Sequence, residues 1–457
     1  MANTTPMTWE NIISHRRTGS LSIQEEQRTD FQRDYDRLIF SSAFRRLQNK
    51  TQVFPLPGST FVHNRLTHSL EVASVGRSLG KMAGTVIAKT EMLNEATRNF
   101  YHYDLANVIA AACLAHDIGN PAFGHSGEDA ISDYFRESEN ILKQHFSETE
   151  WNELCDFEGN ANAFRILTHH YSGKSSGGYR LTYSTLAAIQ KYPCQQAAKN
   201  KSNKHTKKYG FFISESKTMK ELTREVNMQQ DKENPTAWFR HPFVYLTEAA
   251  DDICYRIIDL EDAQRLGIVD YPSVEKMLLE LLESFGDSQD FEMTTIILQS
   301  IGDNNEKTSY LRAKVINYLI RACVAIFTEN KEEILNCTWK STLMDEVEKK
   351  HQALQDIEKL SIEKIYSHDT VVQIELAGYH VMSKLLDLFV PAVLTPKQQR
   401  SEKQKKTLRM LPQQFKPLGN SAYEDVRLVL DYISGMTDLY ATEFYQHAFG
   451  FEVPVHR

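Results

Sequence analysis

The sequence carries histidine and aspartate residues inside or beside apolar runs that have the spacing of helices. The most apolar run, residues 104–116, reads DLANVIAAACLAH and stops at Gly119-Asn120-Pro121, a combination that ends helices. The adjacent His116 and Asp117 therefore close a helix that is otherwise apolar. Burying such a pair costs free energy unless partners offset its desolvation. The fold has to bring other polar groups to this helix end.

Two further runs supply candidate partners. Residues 64–80 have the pattern of a half-buried helix, and this helix contains His68. Residues 243–260 form a third predicted helix, which contains three polar residues at four-residue intervals: Asp251, Tyr255 and Asp259. Side chains at this interval share one stripe of a helix, so the three groups are expected to face the same side.

Two imidazoles and two carboxylates are available from the three predicted helices: His68, His116, Asp117 and Asp251. This set suits a divalent cation that keeps open positions for water or a phosphate oxygen, and it predicts a phosphohydrolase. The alternative for the His-Asp doublet is a buried histidine hydrogen-bonded near a helix end, since such pairs arise by chance among 16 histidines. Asp252 competes with Asp251 for the last position; we favour Asp251, which shares the stripe of Tyr255.

Composition excludes several classes of protein. The chain has 457 residues, with a hydrophobic fraction of 41% and a charged fraction of 25%, as in ordinary globular proteins. No apolar window is long enough to span a bilayer, and the six cysteines form no Cys-x-x-Cys pair. We therefore expect reduced thiols, a cytoplasmic location and no membrane partner. The net charge of -8 excludes a general polyanion binder. The basic stretch 397–409 is interpreted as a solvated linker, with a nucleotide or nucleic-acid site as the alternative.

Most of the chain has helical patterning, which predicts an all-α fold. The pattern breaks over residues 171–212, where GKSSGG and a basic polar stretch predict a loop insertion. We expect residues 1–265 to form the core, with the site motifs in residues 33–72, 104–130 and 243–262. Residues 266–457 are expected to form a helical C-terminal region packed on that core.

Eight segments in this order resemble the HD-domain deoxynucleoside triphosphate triphosphohydrolases, and together they span nearly the whole chain. They are SSAFRRLQ (41–48), KTQVFP (50–55), RLTHSLEV (65–72), HDIGNP (116–121) with its continuation to Glu128, FEGNA (157–161), LTY (181–183), EAADDICY (248–255) and SGMTD (434–438). The resemblance implies an HD-domain helical fold with a C-terminal helical extension. It also implies hydrolysis at the α-phosphorus, which releases a deoxynucleoside and inorganic triphosphate.

Carried over position by position, the resemblance assigns roles to individual residues. The implied metal ligands are His68, His116, Asp117 and Asp251. The implied cation is Mn²⁺ or Mg²⁺, although iron, cobalt or nickel would also suit these donors. His125 and Glu128 match the family's proton-transfer pair, with His125 at the reacting phosphate and Glu128 setting its tautomer and basicity.

Substrate contacts are implied at six positions: Gln52, Val53, Arg65, Lys208, Tyr255 and Asp259. Gln52 and Asp259 are expected at the sugar 3′-hydroxyl, and apolar Val53 would leave a ribose 2′-hydroxyl unpaired, which disfavours ribonucleotides. Arg65 and Lys208 are expected to bind the triphosphate, although Lys208 could also be a solvated loop lysine.

The resemblance implies a deoxynucleoside triphosphate substrate, dGTP in first place, and a homo-oligomer with an allosteric nucleotide or single-stranded DNA as effector. Three alternatives stay open. The chain could hydrolyse deoxynucleoside triphosphates with broader specificity, or it could be an HD phosphohydrolase that acts on other nucleotides. It could also be a non-catalytic scaffold that binds nucleotides or single-stranded DNA.

Overall fold

The fold is built from α-helices. The computed structural model describes residues 5–19, 28–54, 62–174 and 176–451, and within these ranges it contains isolated β-bridges but no β-strand. The predicted all-α class is confirmed. In the same ranges, every helix is too short or too polar to cross a membrane.

The chain up to residue 265 forms the first group of helices, several of them short. They are α1 (Asp30–Ile39), α2 (Ser42–Arg45), α3 (Arg65–Thr90), α4 (Glu95–Asn99), α5 (Leu105–Ala115), α6 (His125–Glu137), α7 (Glu139–Leu142), α8 (Glu148–Leu154), α9 (Gly159–Thr168), α10 (Tyr183–Ile189), α11 (Ser216–Glu225) and α12 (Val244–Arg265).

The chain after residue 265 is also helical. It forms α13 (Tyr271–Ser284), α14 (Ser288–Ser300), α15 (Asn304–Glu329), α16 (Lys331–Leu335), α17 (Leu343–Glu348), α18 (Gln352–Leu360), α19 (Asp369–Leu394), α20 (Glu402–Arg409), α21 (Ala422–Ser434) and α22 (Asp438–Ala448).

The three helices that carry candidate metal ligands lie close to their predicted positions. α3 begins after Asn64, whose side chain accepts from the backbone N–H of Thr67 while the Thr67 hydroxyl accepts from the N–H of Asn64. This reciprocal cap satisfies two N–H groups that a helix start leaves without partners. α3 continues past residue 80 to Thr90, whereas α5 ends at Ala115, directly before His116.

Small residues let α3 pack closely against the chain around α5. A side chain at Gly76 would lie 2.5 Å from Cys113 Sγ, and one at Gly84 would lie 2.2 Å from the carbonyl oxygen of Tyr101. Any larger residue at either position would therefore separate the two segments. α12 packs on both α3 and α5, and this places the three ligand-bearing helices together around one apolar core.

Two apolar clusters make up the core. The first surrounds α3, α5, α12 and α15 and contains Val72, Ile109 and Ile257. The second joins α6 and α8 to the C-terminal helices α19, α21 and α22, and it contains Ile131, Phe135, Leu385, Phe389 and Leu430. Helices from beyond residue 265 therefore pack against α6, which begins at His125.

Two segments that the sequence predicts as loop or linker contain helices. Within residues 171–212, α10 is buried along its whole length and is capped by Thr182, whose hydroxyl accepts from the N–H of Thr185. The preceding glycine-rich residues obscure this short apolar helix in the sequence. Within residues 397–409, Ser401 caps α20, most of which is exposed.

His63 ties the start of α3 to the end of α12. Its Nδ1 lies 2.8 Å from Asp262 Oδ1 and its Nε2 lies 3.1 Å from Glu71 Oε1. Burial alone would lower the pKa of His63, but the hydrogen bonds with Asp262 and Glu71 outweigh it and raise this pKa to about 10. The charged imidazolium therefore stabilises the folded state.

We predict that His63→Gln destabilises the protein in a pH-dependent manner. Because the folded pKa is raised, the stabilisation is complete below the ordinary pKa of about 6.5 and is lost as the pH rises through about 10. The difference in unfolding free energy between wild type and variant should be about 2 kcal/mol at pH 6.5 and should shrink towards pH 10. Urea unfolding at several pH values measures it. A difference in unfolding free energy that does not change with pH would refute the stabilising role of charged His63. The same difference in His447→Gln, a substitution at an exposed histidine, would also refute it.

Candidate metal centre and active-site cavity

A cavity of about 470 Å³ brings together most of the residues that the sequence predicts for the site. The predicted residues in its lining are Gln52, Val53, Arg65, His116, Asp117, His125, Lys208, Asp251 and Tyr255. The other three lie directly behind this lining. His68 contacts Asp251, Glu128 contacts His125, and Asp259 contacts Tyr366, which itself lines the cavity.

His68, His116 and Asp251 form a group that could hold a metal ion. Their ligand atoms all lie within 4.8 Å of one another. Oδ1 of Asp251 lies 3.2 Å from His68 Nε2 and 3.4 Å from His116 Nε2. Nδ1 of His116 lies 2.6 Å from the carbonyl oxygen of Cys113, and a proton on Nδ1 leaves the lone pair of Nε2 for a cation.

The electrostatics of this group favour positive charge. Burial alone would lower the pKa of His116, but the charges of Asp117 and Asp251 raise it to about 9. Burial alone would raise the pKa of Asp251, yet the charge and hydrogen bond of His116 lower it well below its usual range. An ionised carboxylate between two imidazoles has the donor chemistry of a divalent cation site, so these residues fit a metal ion.

Asp117 lies beside the group but has other partners. Its Oδ2 accepts from Arg65 Nη1 at 2.7 Å, and its Oδ1 accepts from Asn120 Nδ2 at 2.6 Å. Nε2 of His116 lies 3.6 Å from Asp117 Oδ1. The group of three therefore leaves Asp117 out, and its role as a fourth ligand stays a prediction.

His125 and Glu128 form a hydrogen-bonded pair at the start of α6. Nδ1 of His125 lies 2.7 Å from Glu128 Oε2, while Glu128 Oε1 accepts from the backbone N–H of Gly159 at 2.7 Å. The side chain of Glu128 is 10% exposed, whereas that of His125 is 75% exposed and can reach a ligand in the cavity. The hydrogen bond to Glu128 and its charge raise the pKa of His125.

Among the described residues, three lysine or arginine side chains line the cavity: Arg65, Lys191 and Lys208. Nζ of Lys208 lies 3.6 Å from Glu158 Oε1, and Nζ of Lys191 lies 3.5 Å from Glu248 Oε1. The sequence analysis missed Lys191. It lies two residues after the end of the short helix α10, in the segment that the glycine-rich pattern assigns to a loop.

A polar and aromatic wall forms another part of the site. The rings of Tyr255 and Tyr366 stack with centroids 5.5 Å apart, and the Tyr366 hydroxyl donates to Asp259 Oδ2 at 3.0 Å. Burial raises the pKa of Asp259 well above its usual range. Gln52 lines the cavity, and its Oε1 is buried and has no hydrogen-bond partner among the described residues, so this acceptor is unsatisfied. Within the described residues, no hydrogen bond joins Gln52 to Asp259.

Comparison with known proteins identifies the family. The model of the HD domain matches residues 65–262, and that of the phosphohydrolase-associated domain matches residues 341–447. A deoxyguanosinetriphosphate triphosphohydrolase-like protein of Synechocystis is 38% identical over 97% of this chain and 99% of its own length. One from Pseudomonas aeruginosa is 37% identical over 98% of this chain and its full length. A Yersinia pseudotuberculosis protein named deoxyguanosinetriphosphate triphosphohydrolase is 31% identical over 91% of this chain and 93% of its own length.

The chain belongs to the family of HD-domain deoxyguanosinetriphosphate triphosphohydrolase-like proteins. The resemblance stated from the motifs is thereby confirmed. The HD-domain match includes the metal group and the His125–Glu128 pair. Tyr366, in contrast, lies within the phosphohydrolase-associated match, so both parts of the family's chain contribute to the cavity wall.

We predict that Asp251→Ala strongly weakens binding of a divalent cation, whereas Asp252→Asn and His125→Ala retain it. Asp252 is the adjacent carboxylate on α12 and lies outside the metal group, so it is a matched control. Since loss of an outer-shell partner already costs 10- to 100-fold, loss of a ligand should weaken Mn²⁺ affinity by at least about 100-fold. Isothermal titration with Mn²⁺ measures the affinity. Equal weakening in Asp251→Ala and Asp252→Asn would contradict the assignment.

Proposed function

We propose that this protein is a metal-dependent hydrolase of deoxynucleoside triphosphates that releases a deoxynucleoside and inorganic triphosphate. The proposal rests on one observation. A single cavity brings together the candidate metal ligands, three lysine or arginine side chains and the unsatisfied amide oxygen of Gln52. The names of the relatives support the same substrate class.

His68, His116 and Asp251 would hold the cation, and we propose Asp117 as a further ligand. Mn²⁺ or Mg²⁺ is our first proposal, and the nitrogen donors also suit iron, cobalt or nickel. When bound, such a cation supplies Lewis-acid polarisation of a phosphoryl oxygen and lowers the pKa of water.

His125 would donate a proton to the leaving 5′-oxygen. Its raised pKa favours the imidazolium, which has a proton to give. Glu128 holds this ring through Nδ1, which leaves Nε2 for the ligand. The backbone N–H of Gly159 in turn fixes the Glu128 carboxylate. These contacts support a positioning role for Glu128, with His125 in contact with the substrate.

The triphosphate would bind to Arg65, Lys191 and Lys208. Each of these cations already faces a carboxylate, which restrains the side chain before substrate arrives. The Nζ atoms of both lysines lie 3.5 Å or more from that carboxylate, longer than a usual hydrogen bond, so their donors can serve phosphate oxygens.

The deoxyribose would lie against Gln52, Val53 and Tyr255. The free Oε1 of Gln52 would accept from the 3′-hydroxyl, and Asp259 would support the same side of the sugar through Tyr366. Val53 offers no partner to a 2′-hydroxyl. A ribonucleotide would therefore bury an unpaired hydroxyl, which costs about 1 to 3 kcal/mol.

We propose dGTP as the preferred substrate. The names of the relatives support this choice. Glu375 of α19 also lines the cavity, and a carboxylate can accept from both N1–H and N2–H of guanine. Broader activity on deoxynucleoside triphosphates is the alternative. The expected homo-oligomer and its effector stay predictions.

Product analysis tests this proposal. Incubation of the protein with Mn²⁺ and each of the four deoxynucleoside triphosphates should give a deoxynucleoside and inorganic triphosphate, fastest with dGTP. GTP should react at least about 10-fold more slowly, because of the unpaired 2′-hydroxyl. Chromatography of both products provides the measurement. Orthophosphate or pyrophosphate would indicate a phosphohydrolase for other nucleotides, and intact nucleotide would favour a non-catalytic scaffold.

We predict that Glu128→Gln shifts the alkaline limb of kcat to lower pH. Glu128 raises the pKa of His125, so its replacement lowers that pKa, and the protonated acid is lost earlier as the pH rises. Asp129→Asn is the control, since it removes the neighbouring negative charge without breaking the hydrogen bond to His125. An unshifted limb in Glu128→Gln, or the same shift in Asp129→Asn, would contradict His125 as the acid.

A further inference from the structure

The junction between α21 and α22, residues 434–438, lies against two segments of the cavity wall. We refer to these residues as the C-terminal corner. One of the two segments is the 51–53 loop, which contains Gln52 and Val53. The other is the 120–125 turn, which leads into His125 at the start of α6.

Asp438 joins these two segments through a single carboxylate. Its Oδ2 accepts from the backbone N–H of Thr51 at 2.7 Å, and its Oδ1 accepts from the backbone N–H of Phe123 at 2.8 Å. The residue is only 6% exposed, so water competes little for these bonds. Thr437 supplies the side-chain cap of α22, which leaves the carboxylate of Asp438 available to the cavity wall.

Lys50 makes a parallel link from the other side. Its Nζ donates to the carbonyl oxygen of Asn120 at 2.5 Å and to that of Ser434 at 2.9 Å. The lysine is 1% exposed, and a buried amino group needs such acceptors. Lys50 and Asp438 therefore each connect the same three segments by hydrogen bonds. These segments are the chain before Gln52, the 120–125 turn and the C-terminal corner.

The 120–125 turn needs external support. Phe123 has φ 62° and Gly124 has φ 60°, and a left-handed conformation is unfavourable at a residue other than glycine. The bond from Phe123 N–H to Asp438 stabilises the conformation from one side. On another side, a side chain at Gly378 of α19 would lie 2.3 Å from the Phe123 ring, so this helix packs directly on the turn.

We propose that Asp438, supported by Lys50, is a positioning residue that couples the sugar side of the site to the proton donor. This inference rests on the proposed function. One carboxylate sets both the 51–53 loop, which would distinguish deoxyribose from ribose, and the turn that aims His125. Loss of Asp438 therefore impairs turnover and sugar selection together, although Asp438 itself contacts no substrate.

The test uses Asp438→Asn in the full-length protein with Mn²⁺. Asparagine keeps the size of the side chain, but its Nδ2 faces a backbone N–H and one of the two bonds is lost. We expect kcat for dGTP to fall about 10- to 100-fold, with Mn²⁺ affinity unchanged. The ratio of kcat/KM for dGTP to that for GTP should fall at least about fivefold, by relaxation of the 51–53 loop.

Asp425→Asn is the matched control. Asp425 is also a buried aspartate of the C-terminal region, and it accepts from the backbone N–H groups of Leu418 and Gly419, which lie outside the cavity lining. It should lower the melting temperature as much as Asp438→Asn does, without changing the dGTP to GTP ratio. The same loss of turnover and of sugar selection in both variants would overturn the proposal.

Lys50→Met provides a second variant in case Asp438→Asn fails to fold, since it breaks only the parallel link and keeps a long apolar stem. It should show the same joint loss of turnover and sugar selection. A folded Lys50→Met with an unchanged dGTP to GTP ratio would overturn the coupling. Failure of the proposed function is distinguishable, because the wild-type protein itself would then release no inorganic triphosphate.

Discussion

The carboxylate of Asp251 is the group on which the rest of the site depends. It lies between His68 on α3 and His116 at the end of α5, and it comes from α12, far along the chain from both. Partial burial disfavours the ionised form of a carboxylate, and hydrogen-bond donors or positive charges beside it favour that form. The close packing of α3 on α5, which Gly76 permits, therefore also sets the separation of the two imidazoles that share this carboxylate.

Pairing with opposite charge also organises the cations of the cavity. Arg65, Lys191 and Lys208 each face a carboxylate, namely Asp117, Glu248 and Glu158. Such pairing offsets the desolvation of buried charge, and it also limits the rotamers of long side chains before a ligand binds. Binding of a triphosphate would therefore cost these side chains less conformational entropy than it would cost unpaired lysines. Three cations around one cavity suit an anion with several charges.

Local sequence patterns could predict the helices and the pairs within them, but not the contacts between distant segments. The apolar run before His116 specifies α5, and the three-residue spacing of His125 and Glu128 specifies a hydrogen bond on α6. Tyr366 and Asp259 are 107 residues apart, and Thr51 and Asp438 are 387 apart, so no periodicity relates them. Lys191 was missed for another reason: glycine-rich residues hide α10, the buried helix that positions it.

The two apolar clusters explain why the C-terminal helices matter to the site. The metal group lies on helices of the first cluster, whereas His125 begins α6, whose Ile131 and Phe135 pack with α19 in the second. The proposed reaction needs the metal group and His125 at the same phosphate. The relative position of the two clusters therefore sets the distance between them. Side chains at their junction then act on catalysis without touching substrate. The carboxylate of Asp438 is such a group, because it joins the chain beside Gln52 to the turn that starts α6.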